Sequence, residues 1–202
     1  MMKQWKLKDI VLMSILGVVF GLIYLAFFGV GNVLYGVLTP FGLGPLSYEL
    51  IFGVWFIVSI IAAYTIRKPG VAFTSETIAA LTEVLVGSTA GPTLILSGMV
   101  QGLGAELGFA VTRWKDYRLR VLILSGMLAA TVSFPYAYFM SGYDAYANWL
   151  VIAMFITRVI SGALIAGLLG KYIADQLAAT GALSGYPLGK ERQKRHEQSS
   201  AS

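Results

Sequence analysis

The chain has 202 residues, of which 57% are hydrophobic and 12% charged, with 15 basic and 10 acidic side chains giving a net charge of +5. That composition excludes an ordinary soluble domain, because the charges sit in short patches between long uncharged runs, as in membrane proteins. The basic residues fall at the ends of those runs, where membrane topology accounts for them without nucleic acid.

Residues 10–28, 50–66, 84–105 and 121–143 carry no charged side chain. A helix needs roughly 20 apolar residues to cross the hydrocarbon core, so these are candidate spans. The first run exceeds the 7 to 15 apolar residues of a secretory leader and no A-x-A pattern follows it, so it reads as a retained helix. Boundaries set at charges, Pro and Gly place helices near 9–28, 46–66, 71–87, 93–112, 119–140 and 148–170. The expected fold is therefore all-α: an integral membrane protein with six transmembrane helices in one domain, residues 1–175. Residues 176–202, ending in a charged run, read as a flexible cytoplasmic tail.

With six alternating spans, Lys3, Lys6, Lys8, Arg67, Lys68, Arg113, Lys115, Arg118, Arg120, Lys171, Lys190, Arg192, Lys194 and Arg195 fall on one side, fourteen of the fifteen basic residues. Positive loops face the cytoplasm, which puts both termini inside and the segments near 29–45, 88–92 and 141–147 outside. The first of these, uncharged and Gly-rich with Pro40 and Pro45, reads as a loop packed over the helices, either a lid or a plain connector.

There is no Cys, and the single His196 lies in the polar tail, so thiolate metal sites and intramembrane Cys or His catalysis are excluded. No P-loop motif occurs, and no cofactor is expected. The ionisable residues within the runs then carry the functional signal. Glu76 and Glu83 share a stripe of the third helix, Glu106 lies in the fourth, Arg158 in the sixth, and Glu49 near the outer mouth of the second. An intramembrane charge is costly and normally meets a partner or a ligand inside the bundle. Glu106 reads either as an ion-pair partner of Arg158 or as a ligand contact, and Glu83 likewise. Glu76, nearer the cytoplasm, reads as structural. Glu76 and Glu83 are seven residues apart, roughly 10 Å along a helix, too far to share one proton as an acid pair.

Aromatic side chains gather toward the outer half: Tyr48, Phe52 and Trp55, then Tyr136 and Tyr138, then Tyr143, Tyr146 and Trp149. Interfacial Tyr and Trp usually form a membrane belt, yet aromatic faces plus a carboxylate also suit an aromatic organic cation, with Asn32 and Asn148 to orient it. Gly17 and Gly21 form G-x-x-x-G in the first helix, and Gly98, Gly102, Gly104 and Gly108 repeat the spacing in the fourth. This spacing serves packing within the bundle or, on the first helix, docking of a partner.

Six short helices, the apolar first outer segment and the run GSTAGPTLILSGMVQGLGAELGFAVTRWKDYR, Gly87 to Arg118, resemble the S components of energy-coupling factor (ECF) transporters, most closely the YkoE-like subgroup. The resemblance implies a vitamin-binding membrane subunit that captures thiamine or its hydroxymethylpyrimidine precursor in an outward pocket. It also implies a transmembrane coupling protein (T component) and two ATPase subunits as partners, in a prokaryotic plasma membrane. Glu106 is the first residue onto which the ligand carboxylate is carried, and Gly17 and Gly21 match the positions that contact the coupling protein. A straight fourth helix would leave Glu106 about 20 Å below its outer end, in which case Glu83 or Glu49 takes that role. The competing classes are an intramembrane enzyme, a small channel or permease without an ATPase partner, and an S component for another cationic or aromatic nutrient. No nucleophile or metal cluster supports the first, and the apolar inner ends speak against a channel.

Overall fold

A computed structural model describes residues 4–200; Lys3 and the side chain of His196 lie outside what it describes. Nine α-helices carry the chain, with no strand among the described residues: α1 Leu7–Leu38, α2 Leu46–Ile51, α3 Ile57–Ile66, α4 Val71–Leu85, α5 Thr93–Val111, α6 Leu119–Met140, α7 Asn148–Ser161, α8 Gly170–Ala179 and α9 Pro187–Ser200. A 3-10 turn at Phe52–Phe56 joins α2 to α3, and a π-helical stretch at Gly162–Leu169 joins α7 to α8.

Five continuous helical stretches are long and apolar enough to span a bilayer: Leu7–Phe41, Leu46–Ile66, Thr93–Val111, Leu119–Met140 and Asn148–Ala179. The expected third span is α4, with 15 residues and a length of about 22 Å, short of a hydrocarbon core of about 30 Å. It is held inside the bundle, between α1 and α5.

One expectation of the chain's course is corrected. The segment 29–45 is not a loop: α1 continues to Leu38, and only the turn through Pro40 and Gly42 (φ 71°) reverses the chain. Its glycines were read as breaks, but a helix backed by neighbours tolerates them; Gly31 lies where a Cβ would collide with the Tyr48 ring. Of the expected tail, residues 176–200 are described, and most of them are helical. Residue 176 lies within α8, and α9 folds back so that Leu183 and Leu188 are buried. The Tyr186 hydroxyl donates to Lys8 O (2.7 Å), and Arg67 pairs with Glu191 (2.7 Å). The charge run hid the apolar anchors of LSGYPL.

Small residues set the helix spacing. The two glycine pairs of α5 lie on faces about 120° apart at 100° per residue. Gly98 and Gly102 meet Ala80, Phe73 and Glu76 of α4, and Gly104 and Gly108 meet Ala129 and Ser125 of α6. Gly17 and Gly21 of α1 are used the same way. A Cβ would come within 2.5 Å of Ile78 and 2.6 Å of Ala79 O of α4, so both glycines are buried in the bundle instead of facing a partner.

Glu106 also has a structural post. Its Oε1 accepts from the Gly70 N–H (2.6 Å) and the Trp114 indole (2.6 Å), and its Oε2 from the Ala72 (2.9 Å) and Phe73 (3.4 Å) N–H groups. The first N–H groups of a helix have no intrahelical acceptor, and a carboxylate there also meets the positive end of the helix dipole. Glu106 thus caps α4 from α5, at the end of the bundle where Arg67, Lys68 and Arg113 lie, and its expected pairing with Arg158 is not formed. An amide presents one acceptor oxygen and no charge. Glu106→Gln is therefore expected to lower stability by about 1 to 3 kcal/mol, read as a drop in melting temperature of the detergent-solubilised protein. An unchanged melting temperature would remove the capping role.

Candidate functional site

A cavity of about 350 Å³ opens at the end of the bundle opposite the basic residues. Its walls come from the last turns of α1 (Phe28, Tyr35), from Pro45 and Tyr48, from the 3-10 turn (Phe52, Trp55), and from α5 (Leu94, Ser97, Gln101). The end of α6 (Tyr136, Ser141) and the following turn (Tyr143, Tyr146) complete them.

The 3-10 turn builds the aromatic wall. With three residues per turn, positions i and i+3 eclipse, which puts Phe52 and Trp55 on one line. Their ring centroids are 6.0 Å apart, Trp55 is also 6.0 Å from Tyr48, and Tyr48 is 5.8 Å from Phe28, a continuous aromatic surface. Tighter winding leaves backbone groups in need of partners inside the membrane. Ser161 supplies them: its Oγ accepts from the Gly53 N–H (3.0 Å) and donates to Leu50 O (3.0 Å). Gly53 is required there, because a Cβ would run into the Ser161 carbonyl.

Behind this wall lies the charge pair of the bundle. Arg158 and Glu49, both fully buried, meet in a two-pronged ion pair, Nε to Oε2 at 2.5 Å and Nη2 to Oε1 at 2.7 Å. Tyr143 closes the set, donating to Glu49 Oε1 (2.8 Å) and accepting from Arg158 Nη2 (3.1 Å). The guanidinium lies 3.7 Å from the Phe52 ring centroid. Glu49 is thereby consumed as the partner of Arg158 and does not line the cavity.

The expected site residues therefore separate. Tyr48, Trp55 and Tyr136 come together in the cavity wall, and the Tyr136 hydroxyl is tied to Thr93 O (2.9 Å). Asn32 is exposed and accepts from the Tyr48 hydroxyl (2.8 Å), so it positions a wall residue from outside. Asn148 and Trp149 lie exposed at the start of α7, away from the lining; Trp149 has the position of a belt residue. Glu83 is buried beside Trp55 and Ser88, with one carboxylate oxygen lacking a hydrogen-bond partner among the described residues. Glu106 is at the other end.

Gln101 is a polar cavity residue that the sequence reading did not name as a candidate. It is almost fully buried, lines the cavity about 12 Å along α5 from Thr93, and donates to Ser97 Oγ (3.1 Å). Its signal was present, a polar amide within an apolar helix, but the acid five residues later drew the attention. The cavity is therefore aromatic and formally uncharged, with an amide and hydroxyl groups as its polar contacts. That arrangement stacks on a flat ring and hydrogen-bonds its edge.

Comparison with known proteins gives three matches, all to components of transport systems. Residues 8–132 match a family described as the permease component of an ABC-type cobalt transport system. Over 199 residues, 98% of both chains, the sequence is 54% identical to YkoE of Bacillus subtilis (strain 168), named there as an HMP/thiamine permease protein. A crystal structure of an S component of an ECF transporter superposes with a TM-score of 0.92 at 53% identity, covering 98% of each chain. The expected resemblance is thus borne out across nearly the whole sequence, and the chain belongs to the YkoE-like S components of ECF transporters, multi-pass membrane subunits of transport systems and not enzymes.

Proposed function

We propose that this chain captures thiamine or its hydroxymethylpyrimidine precursor from outside a prokaryotic cell and presents it to an ECF-type importer formed with a T component and two ATPase subunits. The observation that carries the reading is the aromatic cavity with the Gln101 amide at the end of the bundle away from the basic residues. The name of the Bacillus subtilis relative, an HMP/thiamine permease protein, agrees with the two substrate candidates. An aminopyrimidine stacks between Tyr and Trp rings and offers its edge to an amide, and the thiazolium cation of thiamine is attracted by the same ring faces. Glu83 does not line the cavity itself; it is buried behind the wall residue Trp55, with one oxygen unpartnered among the described residues, and in this reading it offsets a positive charge from there.

The cobalt of the family description fits this chain less well. The sequence has no Cys and one His, and among the described residues no three His, Cys, Asp or Glu side chains come together. Divalent transition metals are held by such groups, and the cavity wall offers rings instead. A channel is likewise disfavoured, because α3, all ten of whose residues are buried, fills the middle of the bundle.

In this reading α4 joins the five long helices as a sixth span, the basic end faces the cytoplasm and the cavity opens outward. Single cysteines placed in the Cys-free chain at Asn32 and Asp144, both exposed near the cavity end, are expected to react with an impermeant thiol reagent on intact cells. One at Lys115 is expected to react only after lysis. The reverse pattern would overturn the outward cavity.

Calorimetry of the purified chain is expected to show binding of thiamine or hydroxymethylpyrimidine without ATP, and none of unrelated vitamins. Gln101→Leu keeps volume and removes the amide, so it is expected to weaken that binding roughly tenfold while leaving the melting temperature near that of the parent. Glu49→Gln is expected to do the opposite. It leaves Arg158 buried without its counter-charge, at a cost of about 3 to 5 kcal/mol, so stability falls more than affinity. Absence of binding by a folded parent would sink the substrate assignment, and equal binding by Gln101→Leu would remove Gln101 from the site.

A further inference from the structure

The basic end of the bundle holds a second cleft, of about 490 Å³, between the end of α3, the Lys115–Leu119 connection, α8 and α9. Nothing in the vitamin-capture reading uses it. Six basic side chains and three acidic ones line it, an excess of three positive charges in a space of small-ligand size.

The acids are already engaged. Glu191 is held by Arg67 (2.7 Å) and Arg195, Asp175 pairs with Lys171, and Asp116 pairs with Arg120 (2.9 Å), which points from outside the lining. Of the other three basic side chains, Arg118 is exposed and reaches Asp116 only at 4.0 Å, which leaves two cations without an ion pair. Lys115 makes no ion pair among the described residues, and Arg192 reaches only the Asp175 carbonyl (3.2 Å).

The floor is built and not merely a charged surface. The Arg67 guanidinium lies 5.4 Å from the ring centroids of both Tyr64 and Tyr117, and Tyr117 stacks on Phe109 at 5.4 Å. Tyr117 lines the cleft at 8% exposure, and its hydroxyl has no hydrogen-bond partner among the described residues. Lys115, Arg192 and the Tyr117 hydroxyl thus line one cleft with donor capacity that no carboxylate takes up. Such a set recognises the oxygens of a phosphate group, which takes several charge-assisted hydrogen bonds at once.

We propose that this cleft is a phosphate-binding site whose free donors are Lys115 and Arg192. The phosphate has two possible sources of one chemistry. At the level of the basic loops, the headgroup of an anionic lipid reaches such a cleft from the membrane surface, and a soluble phosphate ester reaches it from water. The site is independent of the aromatic cavity, so its failure leaves the vitamin-capture reading intact.

The test uses the full chain in two arms. In neutral detergent, inorganic pyrophosphate is titrated against the melting temperature, with KCl of matched ionic strength as control. In nanodiscs, retention of phosphatidylglycerol over phosphatidylcholine is read by native mass spectrometry. The parent is expected to show saturable stabilisation in the first arm, selective retention in the second, or both. A first-arm signal alone identifies a soluble phosphate and a second-arm signal alone a lipid headgroup. Lys115→Gln with Arg192→Gln is expected to weaken whichever signal appears by at least about tenfold, with the unliganded melting temperature near that of the parent. Should the double variant fail to fold, the single Lys115→Gln, at an exposed position, is read in its place. No signal beyond the KCl control in either arm overturns the proposal, as does a folded variant that responds like the parent.

Discussion

Hydrocarbon gives a charged side chain nothing to bond to, and the arrangement of this bundle follows from how three buried acids, Glu49, Glu76 and Glu106, find partners on other helices. Glu49 of α2 takes Arg158 of α7. Glu106 of α5 takes the free N–H groups at the start of α4. Glu76 of α4 accepts from Ser59 of α3 (2.9 Å) and from the Tyr24 hydroxyl of α1 (3.2 Å). Each of these acids ties its helix to another one, consecutive in the chain for Glu106 and Ser59–Glu76 and more than a hundred residues apart for Glu49 and Arg158. Such contacts give back little of the desolvation they cost, but a wrong pairing would strand a charge in the membrane, so they restrict which helices meet.

Packing finishes what the acids begin. Between helices in lipid there is no hydrophobic drive to associate, and close approach of backbones replaces it. The glycines of α5 provide this on two faces, which lets α4 and α6 close on either side, while Gly17 and Gly21 bring α1 onto α4. The same glycine spacing thus serves the interior throughout, and the exposed face of α1 carries Ile15, Val18 and Leu22 instead.

The sequence made the span positions legible because apolar runs and basic ends are one-dimensional signals; α6 runs 119–140 as expected, and α2 to α3 covers 46–66. It failed where a third dimension decides. Which acid meets Arg158 depends on a fold-back of more than a hundred residues, so spacing pointed to Glu106 or Glu83 as its partner and left Glu49 as a ligand carboxylate only. The α1 extension was missed because glycine reads as a breaker when its neighbour, the Tyr48 ring, is unseen. The aromatic wall was half legible. Tyr48, Phe52 and Trp55 stood out by composition, whereas the 3-10 winding that aligns two of them depends on Ser161, far along the chain.

Tyr143 links the cavity to this framework. Its ring walls the cavity, 5.8 Å from Phe134 and 6.1 Å from Tyr146, while its hydroxyl is the third member of the Glu49–Arg158 set. Phe52 has the same double position, one face toward the cavity and the Arg158 guanidinium 3.7 Å from its ring. Neither side chain can turn toward a bound ring without altering what the buried pair rests on, and a buried pair tolerates little loss of contact. The cavity's outline and the junction of α2 with α7 are consequently set by the same two aromatic residues, so the wall is rigid where it is backed by charge.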